Sequence, residues 1–253
     1  MEASPVLVSA DNFRDVAGPG LRAADGAPLR AGVLFRSNEL RLIEEDTATL
    51  TGLGLVAVHD LREGYEVDLH PDVPVPGTTW HHRPVPGIPH AVGAQLRTAE
   101  ESVTAVIGVY LGFVDDDRAT ASFGALLRDL AAATGPQLFH CTAGKDRTGW
   151  TAALLLHLAG VAWADIEADY LVTNDRSAAT RAKYLGMVAE HLGADRVPAF
   201  EPLMLADVAY LRAARDRALA VHGTLETYLA DGLGVDADAQ AALTALLRGA
   251  GVS

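Results

Sequence analysis

The segment that most constrains the fold is residues 137–158. Residues 137–140 predict a short strand, and residues 149–158 predict an apolar helix that ends at Gly160. Only residues 141–148 lie between them, so the chain turns tightly from strand to helix. A loop of this kind binds anions, because its backbone N–H groups and the positive end of the helix dipole favour negative charge in the same concave space. The segment therefore predicts an α/β fold with an anion-binding loop.

The rest of the chain alternates between strand and helix patterns. Paired strands are expected around residues 12–16 and 33–35, and further strands at 55–61 and 78–83. Helical patterns cover residues 43–53, 122–133, 164–173, 178–191, 201–221, 225–230 and 237–247, and Ser122 is the expected cap of the second. No repeat or long linker divides the sequence. We therefore expect one α/β domain over residues 1–253, with a helical carboxy-terminal half.

Composition and charge narrow the class of partner. The 253 residues include 33 Asp and Glu against 20 Lys and Arg, which gives a formal charge of −13. A protein that binds nucleic acid needs a basic excess, so nucleic acid is not expected as a partner. The longest apolar stretch, residues 150–162, is shorter than the roughly 20 residues of a membrane span, so no integral membrane segment is expected.

Cysteine usage bears on the compartment. Cys141 is the single cysteine, which excludes an internal disulfide and any multi-cysteine metal cluster. The first residues show no basic stretch followed by an apolar one, as a secretory leader would. Because a free thiol is typical of reducing surroundings, we expect a cytoplasmic location.

The loop carries its chemistry on Cys141 and Arg147, which are separated by five residues. Helix-terminal and cationic surroundings lower the pKa of a cysteine thiol, so Cys141 is expected to be a nucleophile at neutral pH. Arg147 would hold phosphoryl oxygens with its planar fork, Lys145 would add a second positive charge, and Thr148 would donate a hydrogen bond to the sulfur. The expected phosphate-binding residues are Thr142, Ala143, Gly144, Lys145, Asp146 and Arg147.

Two other interpretations of the loop are weaker. Gly144 and Lys145 suggest a nucleotide-binding loop, but that motif needs glycine at position 139 and Ser or Thr at position 146. This chain has Phe139 and Asp146 there. Taken alone, Cys141 would be read as a small buried hydrophobic residue. Its fixed spacing from the glycines, arginine and threonine of the loop favours catalysis instead.

Residues 140–149 read His-Cys-Thr-Ala-Gly-Lys-Asp-Arg-Thr-Gly, which resembles the signature of the cysteine-dependent protein tyrosine phosphatases and, more narrowly, of the bacterial tyrosine and lipid phosphatases. Residues 12–18, 34–37, 60–62 with Glu66, 168–171 and 174–175 add similarity in family order. The resemblance implies a central, mostly parallel sheet flanked by helices, a helical lid over residues 176–205, a phosphocysteine intermediate, no cofactor and no metal. It also implies phosphotyrosine proteins as substrates, phosphoserine, phosphothreonine or phosphoinositides as substrates of some members, and inorganic phosphate as the product.

Two aspartates are candidates for the general acid that protonates the leaving oxygen. Asp60 ends a predicted strand, at the edge of an open α/β sheet where ligands approach, and we favour it. Its alternative role is to pair with Arg62 or to cap the next segment. Asp146 lies in the loop itself, where it would act as the acid, position a water, or pair with Arg62 or Lys145. The mobile Trp-Pro-Asp loop of other tyrosine phosphatases is absent, because Trp80 is followed by histidine.

Other polar residues are expected to support the site. His140 precedes the nucleophile and is expected to orient the loop through hydrogen bonds to the backbone. Asn12, Arg14 and Asp15 show no derivable chemistry and are expected to brace the strand near the loop. A metal-dependent phosphohydrolase is the alternative suggested by five further histidines, His59, His70, His81, His82 and His90. Their spacing matches no familiar ligand motif, so no metal is expected.

Two functions from different classes remain open. In the first, Cys141 attacks phosphorus, Arg147 and the loop amides stabilise the transferring phosphoryl group, and an aspartate protonates the leaving oxygen. In the second, the chain is a catalytically idle module that binds phosphorylated ligands. The intact cysteine, arginine and threonine of the loop favour the enzyme, because a binding module needs no reactive thiolate.

Overall fold

The computed structural model describes residues 5–88 and 90–249. At its centre is a five-stranded sheet with the order β1-β2-β5-β3-β4. The strands are β1 (Arg14–Asp15), β2 (Leu34–Ser37), β3 (Ala57–Asp60), β4 (Thr79–His82) and β5 (Gln137–His140). β1 pairs with β2 in the antiparallel sense, and the other three pairings are parallel. The expectation of a mostly parallel central sheet is therefore confirmed.

Helices account for most of the remaining chain, as the sequence predicts for the carboxy-terminal half. They are α1 (Glu44–Gly52), α2 (Gly64–Leu69), α3 (His90–Gln95), α4 (Ala99–Asp115), α5 (Asp117–Ala132), α6 (Asp146–Leu158), α7 (Trp163–Arg176), α8 (Ala178–Leu192), α9 (Val197–Met204), α10 (Val208–His222), α11 (Leu225–Thr227) and α12 (Ala237–Arg248). The segment Tyr228–Gly232, which follows α11, is a single π-helical turn.

The central strands are buried on both faces. Leu34 of β2 and Phe139 of β5 pack into the larger of two apolar clusters, to which α4, α5, α6, α10 and α12 also contribute. Their neighbours Phe35 and Leu138 pack into the smaller cluster together with Leu50 of α1. Because side chains alternate along a strand, this division places helices on opposite faces of the sheet.

The middle of the sheet positions the loop. All four residues of β5 are buried, and β5 lies between β2 and β3. Helix α6 begins at Asp146, three residues earlier than the sequence predicts, so that the second half of the loop forms its first turn. The acidic side chain of Asp146 stands at the positive end of the helix dipole, where negative charge is favoured. The loop is thus held between a buried strand and a buried helix.

Two helix boundaries differ from the prediction. The predicted helix 201–221 is two helices, α9 and α10, because the chain leaves the helix at Leu205 and Asp207 caps the next one by accepting a hydrogen bond from the N–H of Ala209. Ser122 is not a cap, since α5 begins earlier with Asp116 as its N-cap. The Ser122 hydroxyl instead donates to the carbonyl of Pro84 at 2.6 Å.

Among the residues that the structure describes, no helix is both long enough and apolar enough to cross a bilayer. Residues 1–4, on which part of the expectation about a secretory leader depends, lie outside the described residues, as do the outermost residues of the expected domain 1–253.

Candidate active site

Cys141 follows β5 directly and lines a cavity of about 520 Å³. Its side chain is buried, with 2% of the residue exposed. Thr142, Ala143, Asp146 and Arg147 line the same cavity. The loop and the first turn of α6 therefore bring the predicted nucleophile, the predicted arginine fork and one candidate acid into one space.

The backbone of the loop offers donors to this space. Within residues 5–88 and 90–249, the N–H groups of residues 142–145 donate to no backbone or side-chain acceptor. Gly144 has a φ of +66°, and a Cβ there would lie 2.5 Å from the carbonyl oxygen of Ser37. Only glycine tolerates both the left-handed backbone and this close approach. Four unpartnered N–H groups in a tight turn form a concavity that suits an oxyanion.

Arg147 is held by a residue that the site prediction does not include. Its Nη1 donates to Oε2 of Glu66 at 2.6 Å, and its Nη2 donates to Oε1 at 2.9 Å. The hydroxyl of Thr142 also donates to Oε1 of Glu66. Burial alone would raise the pKa of Glu66, but the hydrogen bonds and charge of Arg147 outweigh it and lower that pKa to about 2. Glu66 is therefore a carboxylate that fixes one edge of the guanidinium.

The third guanidinium nitrogen, Nε, is not held by Glu66. In the part of the chain that the structure describes, Nε of Arg147 has no hydrogen-bond partner, whereas Nη1 and Nη2 both have several. A guanidinium carries five N–H donors in a fixed plane. Nε can therefore donate to an oxygen of a phosphoryl group while Glu66 holds Nη1 and Nη2 in place.

Local sequence contains a signal for Glu66, although α2 itself is not among the predicted helices. Glu63 and Glu66 form a reciprocal capping box at the start of α2, in which each side chain accepts a hydrogen bond from the backbone of the other. This box fixes Glu66 in the first turn of the helix. The remaining signal is the family similarity at residues 60–62 with Glu66, which carries no chemistry by itself.

Lys145 is placed differently from its predicted role as a phosphate ligand. Its side chain is buried, and its ammonium donates to the carbonyl of Leu205 at 3.0 Å. The same ammonium lies 3.3 Å from Oδ1 of Asp146 and 5.4 Å from the centre of the Tyr210 ring. Lys145 therefore holds the turn between α9 and α10 against the loop.

Asp146 is the aspartate that reaches the cavity. Its side chain is 27% exposed, and its pairing with Lys145 is one of the alternatives that the sequence leaves open. The hydroxyl of Tyr110 lies close enough to interact with it, and that hydroxyl is in turn hydrogen-bonded to the hydroxyl of Tyr170 at 2.8 Å. Burial raises the pKa of Tyr110 well above its ordinary value, so Tyr110 stays a neutral donor beside the carboxyl group.

Asp60 has the alternative role that the sequence allows, pairing with Arg62. Its Oδ1 accepts hydrogen bonds from the backbone N–H and the Nε of Arg62, both at 2.9 Å, and its Oδ2 accepts one from Nη2 at 2.7 Å. Asp60 is fully buried and does not line the cavity of Cys141. A general acid must lie within hydrogen-bond reach of the leaving oxygen, and Asp60 lies outside this cavity. This placement favours Asp146 over Asp60 as the candidate acid.

His140 lies behind the loop and is fully buried. Its Nδ1 lies 3.3 Å from the carbonyl oxygen of Cys141, and its Nε2 lies 3.0 Å from Oδ2 of Asp72. Burial opposes a charge on the ring, but Asp72 and Asp60 outweigh it and raise the pKa of His140 above its ordinary value. The ring of His140 therefore lies between the backbone of Cys141 and a buried carboxylate.

One group of side chains has the composition of a metal site. Asp60, Asp72 and His140 are the only three potential ligands that converge among the described residues. Nη2 of Arg62 lies 2.7 Å from Asp60 and 2.8 Å from Asp72, so a guanidinium already occupies the space between the carboxylates. A cation of this size leaves the group unsuited to a metal ion. The side chain of His90 lies outside the described part of the chain.

Thr148 is fully buried, and its hydroxyl makes no hydrogen bond to the Cys141 sulfur or to any other group that the structure describes. A buried hydroxyl without a partner is uncommon, and its rotation toward a new acceptor costs little.

The walls of the cavity are apolar and come from distant helices. Leu192 of α8 and Phe200, Leu203 and Met204 of α9 line it, together with residues of α4 such as Val106. Helix α8 has no buried residue, although it carries several large apolar side chains. The expected lid segment 176–205 thus contributes wall residues to the space in front of Cys141.

The fold, the cysteine-to-arginine loop and its free N–H groups define a class of protein. A family model described as the tyrosine phosphatase family matches residues 5–249, and the chain belongs to this family. It is 33% identical over 260 residues to the triple specificity protein phosphatase PtpB of Mycobacterium tuberculosis, a match that covers 89% of this chain and 92% of that protein. It is 34% identical over 232 residues to a Cupriavidus necator protein that carries a tyrosine-protein phosphatase name, with 89% of this chain and 82% of the relative covered.

Proposed function

We propose that this protein is a cysteine-dependent phosphatase that hydrolyses phosphotyrosine in proteins through a phosphocysteine intermediate. The observation that carries the proposal is the shared cavity, which is lined by Cys141, Thr142, Ala143, Asp146 and Arg147 and adjoins a loop whose residues 142–145 have unpartnered N–H groups in the described part of the chain. Each of these groups supplies one function that phosphoryl transfer needs.

The reaction proceeds in two steps. The Cys141 thiolate attacks phosphorus, the S–P bond forms as the bond to the leaving oxygen breaks, and Asp146 gives its proton to that oxygen. The loop amides and Arg147 stabilise the charge on the three remaining oxygens. In the second step Asp146, now ionised, takes a proton from a water molecule, which attacks phosphorus and releases inorganic phosphate and the thiolate.

Asp146 is the better candidate for the acid on three grounds. It lines the cavity, it is partly exposed, and Tyr110 and Lys145 hold it in place. Asp60 meets none of these conditions, because it is fully buried and bound by Arg62. The loop aspartate thereby replaces the acid that other tyrosine phosphatases place on a separate loop.

The shape of the cavity favours an aryl phosphate. Its walls are largely apolar, and a volume of about 520 Å³ accommodates a phenyl ring in front of the buried sulfur. The name of the Mycobacterium tuberculosis relative assigns triple specificity to that protein. For this chain, phosphoserine, phosphothreonine and phosphoinositides are further substrates to test. The engagement of the Lys145 ammonium with Leu205 gives a phosphoinositide no additional cation in this conformation.

Two further expectations accompany this function. We propose that residues 176–205 form a lid, since their helices supply wall residues on the open side of Cys141. We also propose a cytoplasmic location, because a mechanism that depends on one unpaired thiolate is suited to a reducing compartment. In this account the chain is one domain, with the lid as part of it.

The test is phosphate release from a phosphotyrosine peptide, a phosphoserine peptide and a phosphoinositide, with the wild type and Cys141→Ser, each in the presence of a metal chelator. We expect turnover of the phosphotyrosine peptide that survives the chelator and disappears in Cys141→Ser. Binding of the phosphopeptide by the wild type without any turnover would establish the alternative, a recognition module. Loss of activity with the chelator would remove the thiolate mechanism.

A further inference from the structure

A cluster of buried polar side chains lies against the outer side of the loop. Asn12, Arg14 and Arg36 are each no more than 2% exposed, although they come from the amino-terminal region and not from the loop. Asp169 of α7 pairs with both arginines, at 3.5 Å from Nε of Arg14 and 3.2 Å from Nη1 of Arg36. Burial of two guanidinium groups and one amide is costly unless they have a defined set of partners.

The partners of two members are carbonyl groups of the loop. Nδ2 of Asn12 donates to the carbonyls of Ala143 and Gly144, both at 3.0 Å. Nη2 of Arg36 donates to the carbonyl of Gly144, also at 3.0 Å. Arg14 fixes the amide of Asn12 by donating to its Oδ1 at 2.5 Å, so that the NH₂ group is the end turned to the loop. Three hydrogen bonds therefore converge on two adjacent carbonyls.

These bonds determine where the N–H groups point. A trans peptide unit is planar, and its C=O and N–H lie in opposite directions. The described residues contain no cis peptide bond. Hence a carbonyl of Ala143 that faces Asn12 turns the N–H of Gly144 away from Asn12, and the carbonyl of Gly144 does the same for the N–H of Lys145. Both N–H groups belong to the unpartnered set of the loop.

We propose that Asn12 and Arg36 are positioning residues for the reaction, which clamp the carbonyls of Ala143 and Gly144 so that the following N–H groups are presented to the phosphoryl oxygens. This inference rests on the proposed function, because it assigns the two residues a role in oxyanion binding by the same loop. It also gives a specific task to Asn12, for which sequence alone indicates only a bracing role.

The clamp, which consists of Asn12 and Arg36, affects the binding of an anion as well as the stability of the fold. Without it, the two peptide units could rotate and present their carbonyls to the phosphoryl group, and a carbonyl oxygen repels an oxyanion. The cluster also leaves one positive charge in excess, since two arginines share one aspartate. Gly144 is the residue at which this arrangement is tightest, because a Cβ there would lie 2.8 Å from Nδ2 of Asn12.

The decisive variant is Asn12→Asp, which keeps the size and shape of the side chain and its contact with Arg14. It replaces the donor that faces the loop with an acceptor, so that both hydrogen bonds to the loop become repulsive contacts. The probe is inorganic tungstate, a stable tetrahedral oxyanion, titrated by calorimetry into the full chain. We expect its affinity to fall by at least about tenfold relative to the wild type.

The matched control is Thr173→Val. The Thr173 hydroxyl accepts a hydrogen bond from Nη2 of Arg14 at 3.3 Å, so that the control removes a buried contact of the same cluster and leaves the loop carbonyls bound. We expect tungstate affinity within about twofold of the wild type. Thermal melting of each variant separates loss of binding from loss of the fold. A loss of affinity in Thr173→Val as large as that in Asn12→Asp would overturn the proposal, because the cluster would then act through stability alone.

Arg36→Lys keeps the inference testable if Asn12→Asp does not fold. A lysine retains the positive charge but cannot contact both Asp169 and Gly144, since it lacks the fork. We expect tungstate affinity to fall several-fold, and kcat to fall more than KM rises. Unchanged affinity in a folded Arg36→Lys or Asn12→Asp protein overturns the clamp. Because calorimetry needs no turnover, this result is independent of whether the wild type hydrolyses phosphopeptides.

Discussion

Two polar regions meet where β5 ends, and they differ in how their charges are partnered. On one side is the Arg62 cluster, which we define as Arg62 with Asp60, Asp72, Glu39 and His140. Each charge in it lies within 4.0 Å of an opposite charge. On the other side is the Cys141 site. There the N–H groups of residues 142–145 and the Thr148 hydroxyl have no partner in the described residues.

The difference separates a structural role from a chemical one. Buried polar groups are normally satisfied, so a region in which several are left open is prepared for a group that the protein itself does not supply. In the Arg62 cluster every charged group instead faces an opposite charge, although the cluster contains the residue types of a metal site and a candidate acid. Its partners instead fix His140, whose ring contacts the carbonyl oxygen of Cys141. The Arg62 cluster thus supports the Cys141 site.

The largest effect is expected at the nucleophile. Cys141→Ser should lower phosphatase turnover by at least about 10³-fold, since an alcohol at this position is not ionised at neutral pH. The same protein should still bind tungstate, because the amides and Arg147 are unaltered. Calorimetry beside phosphate release measures both. Turnover in Cys141→Ser near that of the wild type would place the chemistry elsewhere.

A second test asks which of two aspartates, Asp146 or Asp60, is the general acid. Asp146→Asn should lower kcat by roughly 10²- to 10⁴-fold for a phenyl phosphate with a strongly basic leaving oxygen. The loss should be far smaller for p-nitrophenyl phosphate, whose leaving group needs no proton. Steady-state kinetics with the two substrates provide the measurement.

Asp60→Asn is the matched variant in the Arg62 cluster. It removes one carboxylate from a buried pair, so that we expect a loss of stability of about 3 kcal/mol. The ratio of rates on the two substrates should stay at its wild-type value. If Asp60→Asn, and not Asp146→Asn, makes the rate depend on the leaving group, the assignment of the acid is reversed.

A third test concerns the contact of Glu66 with Arg147. Glu66→Gln keeps the shape but weakens the hold on the guanidinium, so we expect kcat for a phosphotyrosine peptide to fall roughly tenfold. Because the folded pKa of Glu66, about 2, is lower than its ordinary value of 4.5, its stabilisation is present above pH 4.5 and is lost as the pH falls toward 2. Chemical unfolding between pH 2 and 6 should therefore show that the free energy of unfolding falls less steeply with decreasing pH in the variant than in the wild type. Equal slopes would contradict an ion pair here.

Most residues of the Cys141 site can be proposed from sequence because they are close together in the chain. Cys141, the loop amides, Asp146 and Arg147 lie within seven consecutive positions, between a strand and a helix that hydrophobic pattern identifies. Glu66 and Asn12 could not be placed in the same way, since they reach the loop across sequence separations of 81 and 131 residues. No local pattern encodes such contacts, which depend on the assembled sheet.

The placements that differ from the sequence-based expectation have the same origin. Asp60 stands at the expected edge of the sheet, but a neighbouring side chain, Arg62, determines whether its oxygens are free. Lys145 lies inside the loop, but tertiary packing carries its ammonium to Leu205. The break between α9 and α10 could not be predicted from the sequence pattern either, since the helical pattern continues across it. Asp207 then caps α10.

The smallest effect is expected from the pH dependence of the Arg62 cluster. The folded pKa of His140 is above its ordinary value, because Asp72 and Asp60 outweigh burial. The pair is therefore fully stabilising below about pH 6.5, and its contribution is lost as the pH rises through the raised value. Asp72→Asn removes the principal partner, so that stability should become nearly independent of pH on the alkaline side. Between pH 6 and 9, we expect the free energy of unfolding to fall by about 1 kcal/mol more in the wild type than in Asp72→Asn.

Melting temperatures of the wild type and Asp72→Asn between pH 6 and 9 measure this difference. The wild type should lose stability with rising pH more steeply than the variant, and an offset from the lost contact between Asp72 and Arg62 should remain at the alkaline end. Parallel curves would mean that His140 does not ionise in this range. In that event the ring would still contact the loop, but as a neutral donor or acceptor, and the Arg62 cluster would support Cys141 by packing and hydrogen bonding without a switchable charge.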